Sequence, residues 1–590
     1  MASGRFLAIS LFSLLAFQLH AAADYETALL PPVLVKGEPV RTIPLAERMA
    51  ELHVPGVSIA YIHNGEIAWT RTYGVTKIGG PAVTPDTLFQ AASISKPVTA
   101  LAVLHLAQEG RLDLDRDVNT YLKSWKLPEN DFTAQKKVTL REVLSHTGGL
   151  TVHGFLGYGR GTPIPTLTQM LNGEPPANSP PIRVAAAPGS VWKYSGGGYV
   201  VIRQLLEDVT NMSFLELMQD LVLGPIGMTH SSYEQPLRPE KLANAAMPYD
   251  SDGKEIAGGP HTYPEMAPDG LWTTPSDLAR YAIEVQKSLT GNANHVLSES
   301  MTREMLKPGL GYWGLGPEVG KEDVPDPLFL HNGGNEGFRC QLIAHRRGDG
   351  VVIMTNGDQG GELMEEISRT LAHDQGWPDF GPEEREAVQV DKKVMEHYAS
   401  YYRMGRYSIV EVSLEHHDLF MTLPGEVKAR IYPSSERDWF FTTADAGATF
   451  NPDAKGQEPA LTLHLSDGDA PARRIDAAHA KQVQDELAAK IKNKTQDPTT
   501  EAALRQYIAE LQAGGQPDYT QMSVGLANAV KDGLPDLREQ MARLGQIKSV
   551  TFTGVDEFGG DLYKVVFEHG EVGYHLIVDL RGKTESLGIL

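Results

Sequence analysis

Cysteine is almost absent from this chain: Cys340 stands alone among 590 residues. A single thiol can neither close an internal disulfide nor supply a zinc site. Its neighbours Phe338-Arg339-Cys340-Gln341-Leu342 read as a strand, which makes the thiol a small buried filler rather than a reactive group. Positive charge is also in short supply. Lys and Arg number 53 against 75 Asp and Glu, a net charge of −22. Nucleic-acid binding needs clustered Lys and Arg, and so does docking on an anionic membrane, so both are disfavoured. Long apolar runs are missing except at the start. There Arg5 precedes the mainly apolar stretch Phe6 to Leu19, and Ala21-Ala22-Ala23 follows it. The stretch is short of the ~20 residues a spanning helix needs, and small residues close it at cleavage spacing. Residues 1–23 are expected to be a signal peptide, and the mature chain to begin near Asp24 in the periplasm or outside the cell. An uncleaved anchor is the competing reading. No stable membrane insertion is expected after cleavage.

The length calls for more than one core. Asn64-Gly65 between apolar runs over 54–76 is a hairpin signal. Residues 93–109 carry apolar positions at helical spacing, closed by Gly110. Thr139 and Glu142 have capping-box spacing and open a short helix ending near His146-Thr147-Gly148-Gly149. Helices are expected over 199–223, over 276–288 with Ser276 as cap, and over 362–374, with a strand pair at 338–346 and 350–356. Residues 379–386 are rich in Pro, Gly and Glu and read as a linker. From about 403 to 475 short β runs alternate with turn residues, as in a small sandwich or barrel. Helices at 477–493, 499–513 and 520–543 then precede strands at 548–555, 562–568 and 572–580, a small α+β unit. The division that results is 1–23, 24–378, 388–475 and 476–590.

Three stretches carry chemistry. In Ser93-Ile94-Ser95-Lys96 a lysine lies three residues after a serine and stacks over it on one helical face. An amine so placed takes the serine proton if burial keeps it neutral. Ser-x-x-Lys should nevertheless occur about twice by chance in such a length, and taken singly it reads as a capped helix with an exposed lysine. In Trp192-Lys193-Tyr194-Ser195-Gly196-Gly197-Gly198-Tyr199, glycines beside a tyrosine permit close approach of a ligand, and a phenol among cations acts as acid or base. A buried aromatic at a tight turn explains it equally well. In His331-Asn332-Gly333-Gly334 a glycine-bearing strand edge presents backbone N–H groups to an oxyanion, although a lone His there is more often structural. His416-His417-Asp418 lies between two β runs and reads as a solvated hairpin rather than a metal site.

Taken together, the order and spacing of these stretches resemble the serine β-lactamase and DD-peptidase superfamily, in its class C-like branch with penicillin-binding proteins, esterases and D-aminopeptidases. That family carries Ser-x-x-Lys, a later Tyr-x-Asn, and a Lys/His-x-Gly strand. The matching positions here are Ser93 and Lys96, Tyr194, and His331-Asn332-Gly333. Further likeness lies in Thr139–Leu150, Pro188-Gly189 before Tyr194, Pro225–Ser232 and Gly270–Tyr281. The resemblance covers about residues 40–375. Residues 376–590 show only a weaker likeness to accessory domains found behind such hydrolases.

The resemblance implies an α+β fold: a β-lactamase/transpeptidase-like domain, made of a helical subdomain beside an antiparallel sheet flanked by helices, followed by a small β-barrel or sandwich domain and a small α+β domain. It implies that Ser93 attacks a carbonyl, that Lys96 and Tyr194 move its proton, and that the N–H groups of Ser93 and Gly334 hold the oxyanion. His331, Gly333 and Gly334 would line the substrate. No metal and no organic cofactor is called for. Two positions depart from the pattern. Gly196 stands where an Asn is usual, and His331 where most β-lactamases have a lysine that holds a substrate carboxylate. The expectation is therefore a hydrolase of an ester or amide, a carboxylesterase or D-peptide/DD-carboxypeptidase-like enzyme, with weak or absent β-lactamase activity. Its partner would be a small-molecule or short-peptide substrate. A penicillin-binding sensor on the same fold, without efficient turnover, is the other reading. Retention of Ser93, Lys96 and Tyr194 argues against it, since a pure binder has no need of all three.

Overall fold

The computed structural model describes residue 26 and residues 28–452, 460–466 and 468–589. The expected signal peptide lies outside the described residues. Asn64 and Gly65 take the positive φ values, 54° and 73°, that a two-residue hairpin turn demands. They join β1 (Gly56–His63) to β2 (Glu66–Gly74). Around this hairpin the chain builds a six-stranded antiparallel sheet with β3 (Glu318–Val319), β4 (Leu328–Asn335), β5 (Phe338–His345) and β6 (Gly350–Thr355), in the order β2-β1-β6-β5-β4-β3. Strand β1 alternates between two cores, as a strand covered on both faces must. Val57, Ile59 and Tyr61 pack with Leu363, Ile367 and Leu371 of α5 (Gly360–Gln375), while Ala60 and Ile62 join the larger core on the other side. Helix α4 (Pro275–Ser288) covers that second face. Its cap is Thr274, whose hydroxyl accepts from the Asp277 N–H, so the expected cap at Ser276 is displaced by two residues. Pro275 at the first helical position makes that start favourable.

The helical side centres on α2 (Ser95–Gln108), in which Ser95 to Leu104 and Leu106 are all buried. A helix apolar around its whole girth belongs in a core, so Lys96, on its first turn, is carried inside. The expected helix over 199–223 is interrupted. α3 (Gly196–Thr210) stops at Asn211, which adopts a left-handed conformation with φ of 55°. Ser213 and Glu216 then form a capping box that starts a fresh helix at Phe214. Asn is among the few residues that enter this conformation cheaply, and periodicity alone does not register such a break.

Residues 400–475 close into an eight-stranded barrel, resolving the choice between sandwich and barrel. Val410, Val412, Leu419, Met421, Trp439 and Phe450 are among the residues filling its interior. His416, with φ of 57°, and His417 form the exposed turn between two barrel strands, and among the described residues no cluster suited to a metal occurs. In the last unit two helices (Thr500–Gln512, Val524–Leu544) pack on a four-stranded sheet, while the helix ahead of them (Ala477–Asn493) lies against the barrel strand Ser400–Arg403 and reaches the sheet through the Lys490–Asp561 ion pair. Its fourth strand, Thr584–Ile589, went unread in the sequence. The stretch read as a linker is partly a strand: Glu383–Arg385 pairs in parallel with Val33–Val35. Val33 and Val35 pack on Phe440 of the barrel, while Leu30 N–H donates to Thr370 of α5. The residues ahead of the sheet thus strap the hydrolase-like unit to the barrel. A single Pro- and Gly-rich segment gave no sign of that long-range pairing. No helix among the described residues is long and apolar enough to cross a membrane.

Candidate active site

The turn that carries Ser93 is under strain. Ala92, immediately before it, has φ of 47°, a left-handed conformation that costs a residue with a side chain about 1–3 kcal/mol and must be held by its surroundings. The hold comes from β4. A Cβ at Gly333 would lie 2.3 Å from the Ala91 carbonyl oxygen, 2.6 Å from Cys340 Sγ and 3.2 Å from Ala92 Cβ, so only glycine lets the strand press this close. On the other side Ala91 N–H donates to the Leu271 carbonyl. Cys340 is fully buried, 2.8 Å from the Ala91 carbonyl, and burial pushes its thiol up, consistent with a packing role.

From this turn the chain passes directly into α2. Lys96 Nζ donates to Ser93 Oγ at 2.8 Å and to the Pro268 carbonyl at 3.2 Å. The side chain is 0 % exposed, so the exposed-lysine reading of Ser-x-x-Lys does not hold. Burial works against its charge, but the Asp269 carboxylate at 3.3 Å, together with Tyr194, overcomes this and holds the ammonium above the ordinary lysine value. A neutral amine, the condition under which Lys96 would take the serine proton, is therefore not the resting state. Asp269 was not identified from the sequence. It is the last residue of a four-residue helical turn, Met266–Asp269, directly ahead of the Gly270–Tyr281 stretch. Its Oδ1 also accepts from Ser93 Oγ at 3.1 Å.

Tyr194 meets the pair from the segment just ahead of α3. Lys96 Nζ lies 5.0 Å from its ring centre. The tyrosine is positioned by His146, the second residue the sequence left unread. His146 takes up hydrogen bonds on both sides of Tyr194: its carbonyl accepts from Lys193 N–H at 2.8 Å, and its Nδ1 accepts from Ser195 N–H at 3.0 Å. An accepting Nδ1 requires the neutral ring, and burial first, then Lys96, keeps the pKa of His146 well below its usual value. Ser195 caps α3 at Gly198 N–H and donates to the Thr151 carbonyl. Gly196, where the family usually has Asn, faces the His153 carbonyl and the Phe155 ring, each 3.0 Å from where a Cβ would stand.

His331 is buried on β4 with its ring centre 6.2 Å from Tyr194 and 5.4 Å from Trp313. Its Nδ1 is 2.6 Å from the Asn332 carbonyl, and its Nε2 has no hydrogen-bond partner among the described residues. Burial, reinforced by Lys96, lowers its pKa to about 3, so it is neutral at pH 7. Gly333 and Gly334 follow it past the point, Leu330 opposite Glu318, where pairing with β3 ends. The three stretches named in the sequence thus converge, Ser93 from the turn ahead of α2 and Lys96 from its first turn, Tyr194 from just ahead of α3, and His331 to Gly334 from β4.

The shift of His331 has a consequence for stability. The unfolded chain protonates this ring near its ordinary pKa of ~6.5, while the folded chain resists protonation down to about 3. Between these values the unfolded state binds more protons, so stability rises with pH. His331→Gln is expected to flatten that slope by up to ~1.4 kcal/mol per pH unit below pH ~6.5. Urea midpoints of both proteins between pH 4 and 7 check this, and equal acid sensitivity would refute it.

A buried lysine against a serine at a helix start, flanked by a tyrosine and a glycine-bearing strand edge, is the arrangement of the active-site serine hydrolases that include β-lactamases and D-alanine carboxypeptidases. A family model described as Beta-lactamase matches residues 45–374, more than half of the chain, which therefore belongs to the Beta-lactamase family. Among curated relatives, Protein flp of Staphylococcus aureus (strain N315) is 27% identical over 326 residues, covering 52% of this chain and 60% of that protein. The chain thus spans well under two thirds of that relative's length. Penicillin-binding protein 4* of Bacillus subtilis (strain 168) is 23% identical over 445 residues, 69% of this chain and 92% of that protein. Among solved structures, the octameric penicillin-binding protein homologue from Pyrococcus abyssi superposes with a TM-score of 0.51 at 21% identity, covering 72% of this chain and 97% of that one. At that identity the likeness speaks for the fold.

Proposed function

We propose that this protein is an exported hydrolase that cleaves an ester or amide through an acyl-enzyme on Ser93, as a carboxylesterase or a D-peptide/DD-carboxypeptidase-like enzyme, with weak or absent β-lactamase activity. The observation that carries the reading is the 2.8 Å contact between Lys96 Nζ and Ser93 Oγ at a buried helix start. An ammonium in such a place stabilises negative charge growing on the serine oxygen, and low surrounding polarity strengthens the effect. Ser93 Oγ attacks the carbonyl. The oxyanion is received by the N–H groups of Ser93 and Gly334. Tyr194, whose ring lies 5.0 Å from Lys96 Nζ, relays a proton to the leaving group, and water then releases the acyl group. Neutral His331 supports the view that substrates carrying a carboxylate, cephalosporins among them, are poorly held. Export rests on Arg5, the apolar run Phe6–Leu19 and Ala21-Ala22-Ala23.

A panel of nitrophenyl esters, a cephalosporin and D-Ala-D-Ala peptides tests this, with mass detection of the adduct. Turnover of an ester or D-peptide is expected, with the adduct on the Ser93 peptide and cephalosporin hydrolysis far slower. Stoichiometric acylation by a penicillin, with no turnover of any ester or peptide, would replace the hydrolase with a penicillin-binding sensor.

A further inference from the structure

Ser93 Oγ has two charged neighbours with opposite hydrogen-bonding roles. Lys96 Nζ gives it a hydrogen bond at 2.8 Å, and Asp269 Oδ1 takes one from it at 3.1 Å. An ammonium that donates to the serine oxygen has no lone pair with which to accept the serine proton. The hydroxyl hydrogen is turned toward the carboxylate. We propose that Asp269 is a catalytic residue of this site, the group that takes the Ser93 hydroxyl proton as the acyl bond forms. The proposal rests on the hydrolase reading above.

The surroundings hold Asp269 to that position. Its side chain is 4 % exposed. Its own carbonyl accepts from Asn335 Nδ2 at 3.3 Å, which ties the turn to β4. Thr99 Oγ1 donates to the Ala267 carbonyl, and Leu271 N–H donates to Ser95 Oγ, so the turn is fastened to α2 on both sides of the carboxylate. The titratable groups around it are Lys96 from α2, Cys340 from β5, and Tyr263 and Glu265 from its own segment, with Tyr194 across Lys96. Lys96 alone among these carries a positive charge, and in the resting site it is paired with Asp269.

The step balances. The Ser93 O–H bond breaks and its proton passes to Asp269 Oδ1. The Oγ–carbon bond forms, and the carbonyl π pair becomes the oxyanion. When the carbonyl re-forms, the bond to the leaving group breaks. The leaving atom takes a proton from the Lys96 ammonium, directly or through Tyr194. The proton held by Asp269 then returns to Lys96, which restores the ion pair and leaves an acyl ester and a neutral leaving group.

The test uses the full chain, a fluorophosphonate probe and a nitrophenyl ester. In the wild type the rate of Ser93 labelling is expected to be flat between about pH 7 and 9, because no lysine amine must first lose its proton. Asp269→Asn is expected to lower labelling and kcat/KM by roughly 10²–10⁴-fold at pH 7. It should also convert the flat profile into a rising one, as Lys96, relieved of its carboxylate, becomes the base at high pH. A wild-type rate that climbs about tenfold per pH unit across this range would make Lys96 the base and overturn the proposal, even if the variant fails to fold. So would an Asp269→Asn variant within about threefold of wild type with the same profile. If the wild type is not labelled at Ser93 at all, the hydrolase reading falls and this proposal with it. A wild type that is labelled alongside an indifferent variant removes the proposal alone.

Discussion

Ser93→Ala is expected to form no phosphonyl adduct with a fluorophosphonate and no acyl adduct with an ester, and its ester turnover should fall by about 10⁴-fold or more. Attack requires an oxygen at the head of α2, and alanine offers none. The loss should be chemical rather than structural. Ser93 is a small side chain at the end of a short turn, and Lys96 and Asp269 remain 3.3 Å apart to neutralise one another without it. Thermal unfolding of the variant is therefore expected to stay close to that of the wild type. Intact-mass measurement after probe treatment gives the answer directly. A variant labelled as well as wild type would remove Ser93 as nucleophile.

Lys96→Met strikes both activity and stability. Activity should fall by roughly 10²–10⁴-fold, because the cation beside the serine oxygen and the proton relay to Tyr194 are lost together. Stability should fall by about 3–5 kcal/mol, the usual consequence of leaving one member of a buried ion pair without its partner. The member left behind is Asp269, enclosed by α2 and β4. The double variant Lys96→Met/Asp269→Asn should recover part of this, since no unpaired charge remains. The pH dependence has a defined direction. Lys96 is held above its unfolded value, burial opposing and Asp269 prevailing. Its contribution is complete below the unfolded lysine value of ~10.4 and is lost only as pH rises through the folded one. The stability gap between wild type and Lys96→Met should hence be level between about pH 7 and 9. Urea unfolding at several pH values measures it, and equal midpoints would show that the ion pair contributes nothing.

Much of the architecture was legible because it is written in local signals. Asn64-Gly65 marked a hairpin, Thr139 and Glu142 marked a helix start, and alternating runs after residue 400 marked a β unit. The misses share a cause. The break at Asn211, the cap at Thr274 and the pairing of Glu383–Arg385 with Val33–Val35 each depend on a conformation or a distant partner that a run of residue types does not report. The same holds in the site. Ser93, Lys96, Tyr194 and the 331–334 stretch stood out through motif and order. Asp269 and His146 did not, because a carboxylate in a four-residue turn and a histidine after a short helix acquire meaning only from what they face.

By itself, then, the amino-acid sequence determined which side chains are present to do chemistry and which segments carry them. Tertiary structure decided their charge states and their partners. Lys96 stays an ammonium against its burial because a carboxylate stands beside it, and His331 is a neutral ring because it is buried without one. Burial and proximity are properties of packing between segments far apart in the chain, and in a low-dielectric interior they outweigh the intrinsic character of the side chain.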